Sequence, residues 1–326
     1  MVIDFHNHYY PPAYLDELRS SSSVVEVTVD EEGNPRIYYP GDYNIAVRGH
    51  RDIDYREQVL KDLGVDLQVL TLTTPGTHVE SPGTAARLAE LVNDAFADVV
   101  RTRPARFTAL ATLPLNDPSA SVKELERACR TLGMRGAMLF SNVNGAGLNE
   151  QRFWPLYEAA NDLDAVLYIH PAHPVGVEAM TDFWLMPLVG FLMDTTLAAA
   201  KIVFSGIPER FPRIRWALCH LGGAIPYLAE RLDRGFDAFR ECRANINRPP
   251  SHYLKQFYHD TVNFDPCAIR LAIDFAGIDH IVAGSDYPHQ IGSIPKMFET
   301  IRELKVSARD ESAILGGNAA RLLSIT

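Results

Sequence analysis

The chain has 326 residues, 47% of them hydrophobic, which is enough to bury a large core and fits one α/β barrel as well as two small domains. Its formal net charge of −10 argues against a nucleic-acid partner, because such binding draws on a concentrated basic face and the sequence offers none. The four cysteines, Cys129, Cys219, Cys242 and Cys267, are scattered without a C-x-x-C pair, which excludes a thiolate zinc site and a disulfide framework and points to a reducing cytoplasm.

Val2 to Phe5 reads as the first strand, leaving no room before it for a signal peptide. Two β-rich runs, Val24 to Val29 and Arg36 to Tyr39, flank Glu31-Glu32-Gly33-Asn34 and predict a small β-hairpin (24–39) inserted after that strand, over the barrel mouth. Leu67 to Leu72 is the second strand, followed by a helix from Thr84 to Arg101 with Leu88, Leu91, Val92, Ala95, Phe96 and Val99 on one face. Phe107 to Leu110 and Gly136 to Phe140 are the third and fourth strands, separated by a helix from Ser119 to Leu132, and Ala165 to Ile169 is the fifth. The apolar stretch from Phe183 to Ala200 is interrupted by Pro187 and Asp194 and falls short of a clean membrane span, so no membrane partner is expected. Ile214 to Cys219, Phe257 to Asp260 and Ile281 to Ala283 complete the strands, with helices from Ile225 to Arg240 and from Cys267 to Phe275 between them. The tail from Ala308 to Leu323, within 308–326, reads as one or two terminal helices punctuated by Gly316-Gly317. Strands alternating with helices from end to end predict a single (β/α)8 TIM barrel domain over 1–326, with its active site at the C-terminal ends of the strands.

Those strand ends carry ligand-type side chains. In Asp4-Phe5-His6-Asn7-His8 the period of two points both imidazoles the same way, within reach of one metal ion. His170 follows the fifth strand, His220 the sixth and Asp286 the eighth. Each alone has an ordinary alternative, a histidine bonded to backbone or an aspartate capping a turn; His6, His8, His170 and Asp286 together form a set suited to one divalent ion, with a position left open for water or substrate. His220 precedes the flexible turn Leu221-Gly222-Gly223 and is either a fifth ligand or a proton donor beside the ion. His50, His173, His252, His259 and His280 have ordinary loop or surface explanations.

Asp4-Phe5-His6-Asn7-His8 with Tyr9-Tyr10-Pro11, Ile169-His170-Pro171, Cys219-His220-Leu221-Gly222-Gly223, Arg248-Pro249-Pro250-Ser251 and Gly284-Ser285-Asp286-Tyr287-Pro288 together resemble the amidohydrolase superfamily. The likeness is to its decarboxylase branch, typified by 2-amino-3-carboxymuconate-6-semialdehyde decarboxylase with the γ-resorcylate-type hydroxybenzoate decarboxylases, and it spans essentially the whole chain. It implies metal ligands at His6, His8, His170 and Asp286, proton transfer at His220 with Asp286 in the catalytic set, and a homodimer in which Arg231 reaches the neighbouring subunit's substrate carboxylate. A second carboxylate-binding arginine of that branch does not align, and Arg48 and Arg51 are nearby candidates. His6 stands where the resorcylate branch has Glu, favouring the semialdehyde-type metal site. His289 stands where the semialdehyde enzyme is apolar, implying a different substrate, which His78 and Asn142 in strand-end loops are also expected to touch.

The resemblance thus implies a metal-dependent, non-oxidative decarboxylase of a small hydroxy- or amino-substituted aromatic or unsaturated carboxylic acid. It would use one divalent ion, zinc or else manganese, and no organic cofactor. The alternative is a metal-dependent hydrolase or hydratase on the same barrel, opening a lactone or adding water to a C=C bond.

Overall fold

Runs such as Gly136–Phe140 and Val166–His170 are buried along their whole length, because a parallel strand is covered on one face by the barrel interior and on the other by helices. In the computed structural model, which describes residues 1–22 and 24–325, eight parallel strands form the barrel: β1 (Ile3–Asp4), β5 (Leu67–Leu70), β6 (Phe107–Ala109), β7 (Gly136–Phe140), β10 (Val166–His170), β11 (Arg215–Leu218), β12 (Tyr258–Asp260) and β13 (Ile281–Val282). Thr326, the last residue of the expected tail, lies outside the described residues. The strands between carry other structures: β2 (Glu26–Val29), β3 (Pro35–Tyr39) and β4 (Asp42–Ile45) an insertion, and β8 (Asn142–Val143) with β9 (Ala146–Gly147) a short ribbon. Two joints close the ring. Ala111, just past β6, bridges Ala137 of β7, and beyond the other edge Phe5 N donates to Ala283 O (2.8 Å) while Asn7 bridges Tyr287.

Helices start where a side chain caps them. Asp52, Asp117, Asp265 and Ser293 each accept a bond from a backbone N–H three residues on, worth about 1 kcal/mol apiece. Helices Ile53–Leu63, Trp154–Asp162 and Ile294–Glu303 supply parts of the outer layer that the sequence pattern did not single out.

Two expectations need correction. The expected hairpin is there, as β2 paired antiparallel with β3, but the insertion continues into a third strand, β4, pairing to β3 (Ile37 opposite Asn44), and a helix, Pro12–Ser21, lies between it and β1. Asp42-Tyr43-Asn44-Ile45 lacks the apolar alternation that marks a strand, and it pairs because β3 offers a free edge. The apolar stretch also differs. Met186–Phe204 is one continuous helical segment of 19 residues with mean hydropathy 1.5, long and apolar enough to cross a membrane by those measures. Pro187 does not break it, since in the first turn no N–H is required, and Asp194 is buried with Ser141 Oγ and Asn142 Nδ2 (2.8 Å) donating to it. This segment packs against helices Ile225–Ala238 and Pro250–Leu254, so it is part of the layer around the barrel. The tail is one run of helix through Ala308–Ser312, Ala313–Gly317 and Asn318–Leu323, packed beneath β1 and β13, with Ala283 N donating to Ile314 O at 3.0 Å.

Beneath the catalytic end lies a buried polar layer. Arg56, fully buried, donates through Nη1 to Asn7 Oδ1 and Gln68 Oε1 (both 2.9 Å) and through Nη2 to His8 O, which fixes the backbone between the paired histidines. Gln68 Nε2 and Ser285 Oγ both donate to Asp4 Oδ2 (2.7 and 2.6 Å), tying β1 to β5 and to the segment after β13. Burial pushes the Asp4 carboxyl up to about 6 against these bonds, and lowers the Arg56 guanidinium to about 10.

Candidate active site

The ends of β1, β10, β11 and β13 bring His6, His8, His170, His220 and Asp286 to one point. His6, His8 and His170 place one ring nitrogen each within 4.8 Å of one another, and so do His6, His220 and Asp286 with one ligand atom apiece; Asp286 Oδ1 lies 3.4 Å from Nε2 of both His6 and His8. Gly284 permits this approach, since a Cβ there would stand 2.7 Å from the His6 Cβ.

Each imidazole is oriented from behind. His6 Nδ1 meets Asp260 Oδ2 at 2.6 Å, His8 Nδ1 meets Thr71 Oγ1 at 3.1 Å, and His170 Nδ1 meets the Pro171 carbonyl at 2.8 Å. Thr71 already gives its own proton to Asn7 O (2.6 Å), so it accepts from His8; the carboxylate and the carbonyl also accept. In all three rings Nδ1 therefore carries the proton, which leaves Nε2 as the inward donor atom, the arrangement that orients metal-ligating histidines. Burial and their histidine neighbours hold His8 and His170 well below the usual imidazole range, in the neutral, ligating form.

His6 Nε2 and His8 Nε2 are 3.1 Å apart. Two bare lone pairs at that distance repel, so a positive centre belongs between them. Without a metal a proton fills the role: burial opposes charge on His6, but Asp260 and Asp286 outweigh it and raise its pKa. One proton cannot also satisfy the inward groups of His170 and Asp286, whereas a divalent ion bound by nitrogen and oxygen donors can. The residues present thus fit a metal, and the cluster is a potential metal site.

His220 departs from ordinary backbone geometry. Its φ is 51° and that of Leu221 is 56°, left-handed values that cost a residue with a Cβ about 1 kcal/mol or more. The turn is held by Asp260, whose Oδ1 accepts from Leu221 N (3.4 Å), and by His259 Nδ1, which donates to Leu221 O (3.2 Å). His220 Nδ1 is buried without a partner among the described residues, and burial together with His6 lowers its pKa to about 4 against the pull of Asp286.

A cavity of about 570 Å³ opens over the cluster, with His170, His220, Asp286 and His289 in its lining. Trp184, Leu188, Phe191 and Phe264 make it largely apolar, and β4 closes one side. Among the described residues no Arg or Lys lines it. His78 and Asn142 do not reach it. His78 is buried against the Phe140 ring, 4.7 Å between centroids, and Asn142 spends its amide on His173 O (2.9 Å) and Asp194 Oδ2 because the chain after β7 turns back as the β8–β9 ribbon. Arg231 is exposed on helix Ile225–Ala238, outside the lining.

Sequence reasoning missed Asp260, which orients both His6 and the His220 turn; its place at the end of the seventh strand was the available signal. His50, set aside as a loop histidine, is buried and lines the cavity. Asp260→Asn is expected to weaken metal affinity about 10- to 100-fold while leaving the fold intact, checked by competitive metal titration alongside circular dichroism. Unchanged affinity would remove Asp260 from the site.

Comparison with known proteins agrees with the geometry. The family described as Amidohydrolase matches residues 3–325. The chain is 33% identical over 278 residues to 2-amino-3-carboxymuconate-6-semialdehyde decarboxylase of Dictyostelium discoideum, covering 84% of this chain and 77% of that enzyme. Among solved structures, 5-carboxyvanillate decarboxylase from Sphingomonas paucimobilis superposes with TM-score 0.87 at 27% identity, covering 100% of this chain and 99% of that one. A dihydroxybenzoic acid decarboxylase from Polaromonas sp. JS666, holding manganese and the inhibitor 2-nitroresorcinol, gives TM-score 0.83 at 25% identity, with 99% and 96% covered. With the family matched along nearly its whole length and a strand-end cluster of histidines and Asp286 in place, the chain belongs to the amidohydrolase family.

Proposed function

We propose that this chain is a metal-dependent, non-oxidative carboxy-lyase acting on a small aromatic or unsaturated carboxylic acid with a hydroxyl or amino group beside the carboxylate, built as one barrel domain. The observation that carries it is the convergence of three oriented imidazoles and Asp286, with His220, at the floor of a largely apolar cavity. The named relatives are decarboxylases of such acids. His6, His8, His170 and Asp286 would hold one divalent ion, zinc or manganese, the latter being present in the Polaromonas structure. Bound there, the ion supplies Lewis acidity that neutralises and orients the substrate's oxygens.

The chain's own groups do the rest. The apolar lining excludes water from the ring, which favours release of neutral CO₂ over retention of a carboxylate. His220, facing the cavity and neutral at rest, takes up a proton from solvent and relays it to the carbon bearing the carboxylate; that carbon gains a C–H bond, the C–C bond breaks, and its electron pair stays on the ring as CO₂ leaves. Screening hydroxybenzoates, aminobenzoates, hydroxypicolinates and carboxymuconate semialdehydes tests this. CO₂ release with loss of its mass supports it; a product heavier by one water marks a hydrolase or hydratase and overturns it.

We further infer a homodimer with Arg231 shared across the interface. Supporting it are the lack of a cation in the cavity lining among the described residues and the exposed Tyr227, 78% exposed and one turn before Arg231 on the same helix. A guanidinium grips a carboxylate with two parallel bonds. Mixing inactive His220→Asn with inactive Arg231→Ala should restore part of the activity, because one shared site of the mixed dimer carries neither lesion. Proven subunit exchange without recovery, or a monomer at working concentration, contradicts sharing. The scattered, unpaired cysteines support a cytoplasmic setting.

A further inference from the structure

His50 is a buried polar side chain of the cavity that the reaction above leaves unused. It sits in the short helix Arg48–Arg51, is 1% exposed, and neither ring nitrogen has a partner among the described residues. Polar groups buried that deeply are normally bonded, so two unpaired nitrogens on a cavity wall are matched to what the cavity receives.

The ring is held in place. Its own carbonyl accepts from Tyr10 N (2.7 Å), the Gly49 carbonyl accepts from Arg56 Nε (3.0 Å), and the imidazole packs on the Tyr10 ring with 5.3 Å between centroids. Gly49 has no space for a side chain, since a Cβ would come within 2.4 Å of the Tyr287 hydroxyl; glycine lets the turn press against Tyr287-Pro288. That contact sets His50 beside His289, 4.9 Å between ring centroids, and His289 stands 5.0 Å from His8. Three imidazoles thus climb from the donor cluster along one wall. The polar neighbours are already engaged: Asp42 accepts from Tyr39 Oη (2.8 Å) and Tyr43 N (2.7 Å), and Asn44 Nδ2 donates to Thr74 O (2.9 Å) and Oγ1 (2.8 Å).

We propose that His50, with His289 beside it, is a second polar subsite that binds a hydroxyl-type substituent on the substrate ring, remote from the carboxylate held at the donor cluster. A neutral imidazole offers one donor and one acceptor, and a phenolic hydroxyl presents one of each, so the two match. Resting on the decarboxylase reading, this narrows the substrate class to acids with a second ring hydroxyl, or a group of like hydrogen-bonding capacity, besides the one next to the carboxylate.

The test is calorimetric binding of 2-hydroxybenzoate and of 2,3-, 2,4- and 2,5-dihydroxybenzoate to the metal-loaded protein, in wild type, His50→Leu and His50→Gln. At least one dihydroxy acid should bind wild type about tenfold or more tightly than 2-hydroxybenzoate. His50→Leu should erase that preference while leaving 2-hydroxybenzoate affinity, metal content and melting temperature near wild type, and His50→Gln should keep part of it. His50→Phe, a planar ring without nitrogens, carries the same comparison should His50→Leu not fold. Absence of any preference in wild type, or an equal loss for all the acids in the variant, overturns the subsite. The decarboxylase reading fails separately, when the tightest-bound acid yields no CO₂ although the His50-dependent preference stands.

Discussion

His170→Ala is expected to cost about a thousandfold or more in turnover, because losing the ion forfeits several kcal/mol of charge stabilisation. Stoichiometric metal should disappear with it. His170 is the donor delivered by β10, and its Nδ1 bond to Pro171 O aims Nε2 into the space shared with His6 and His8. Deleting the ring leaves His6 and His8, adjacent on one chain segment, and Asp286 across from them, a set too open to hold a divalent ion at full occupancy. Metal analysis of the purified variant, beside a circular dichroism spectrum showing the fold kept, checks the expectation; full occupancy contradicts it.

His220→Asn should separate chemistry from metal binding. The positive φ at 220 is tolerated by Asn better than by most residues, so the turn survives the substitution. Metal content should stay near one per chain while kcat falls at least ~100-fold, the usual worth of a positioned acid or base. A variant that loses its metal instead makes His220 a fifth ligand, and near-normal turnover makes it structural.

Much of the site was legible because the barrel is simple where it matters. A parallel strand covered on both faces must be a run of apolar residues, and where the run stops the next side chain stands at the catalytic end; His6, His170, His220 and Asp286 were found by that rule alone. Asp260 satisfies the same rule and was passed over, since a carboxylate after a strand reads equally well as a turn cap. Arg56 was invisible for a different reason: a charge on a helix is ordinarily solvated, and only the meeting of Asn7, Gln68 and the His8 carbonyl makes a buried guanidinium tolerable there. His50 required knowledge of two packing events, Gly49 on Tyr287 and His50 on Tyr10, between residues far apart in sequence. His78 and Asn142 lie outside the cavity lining, because a loop at the catalytic end has two sides: Asn142 turns away with the β8–β9 ribbon, and His78, in the loop after β5, packs on the Phe140 ring.

The claim that most needs testing is that the cluster at His6, His8, His170 and Asp286 holds the ion on which decarboxylation depends. Protein stripped with a chelator and then titrated with zinc or manganese, assayed for CO₂ on the acid the screen identifies, tests it most directly. Activity should vanish on stripping and return in proportion to added ion, saturating at one equivalent per chain, with CO₂ and ring product formed one to one. Full CO₂ release from metal-free protein, or saturation at the same stoichiometry in His170→Ala, would contradict it.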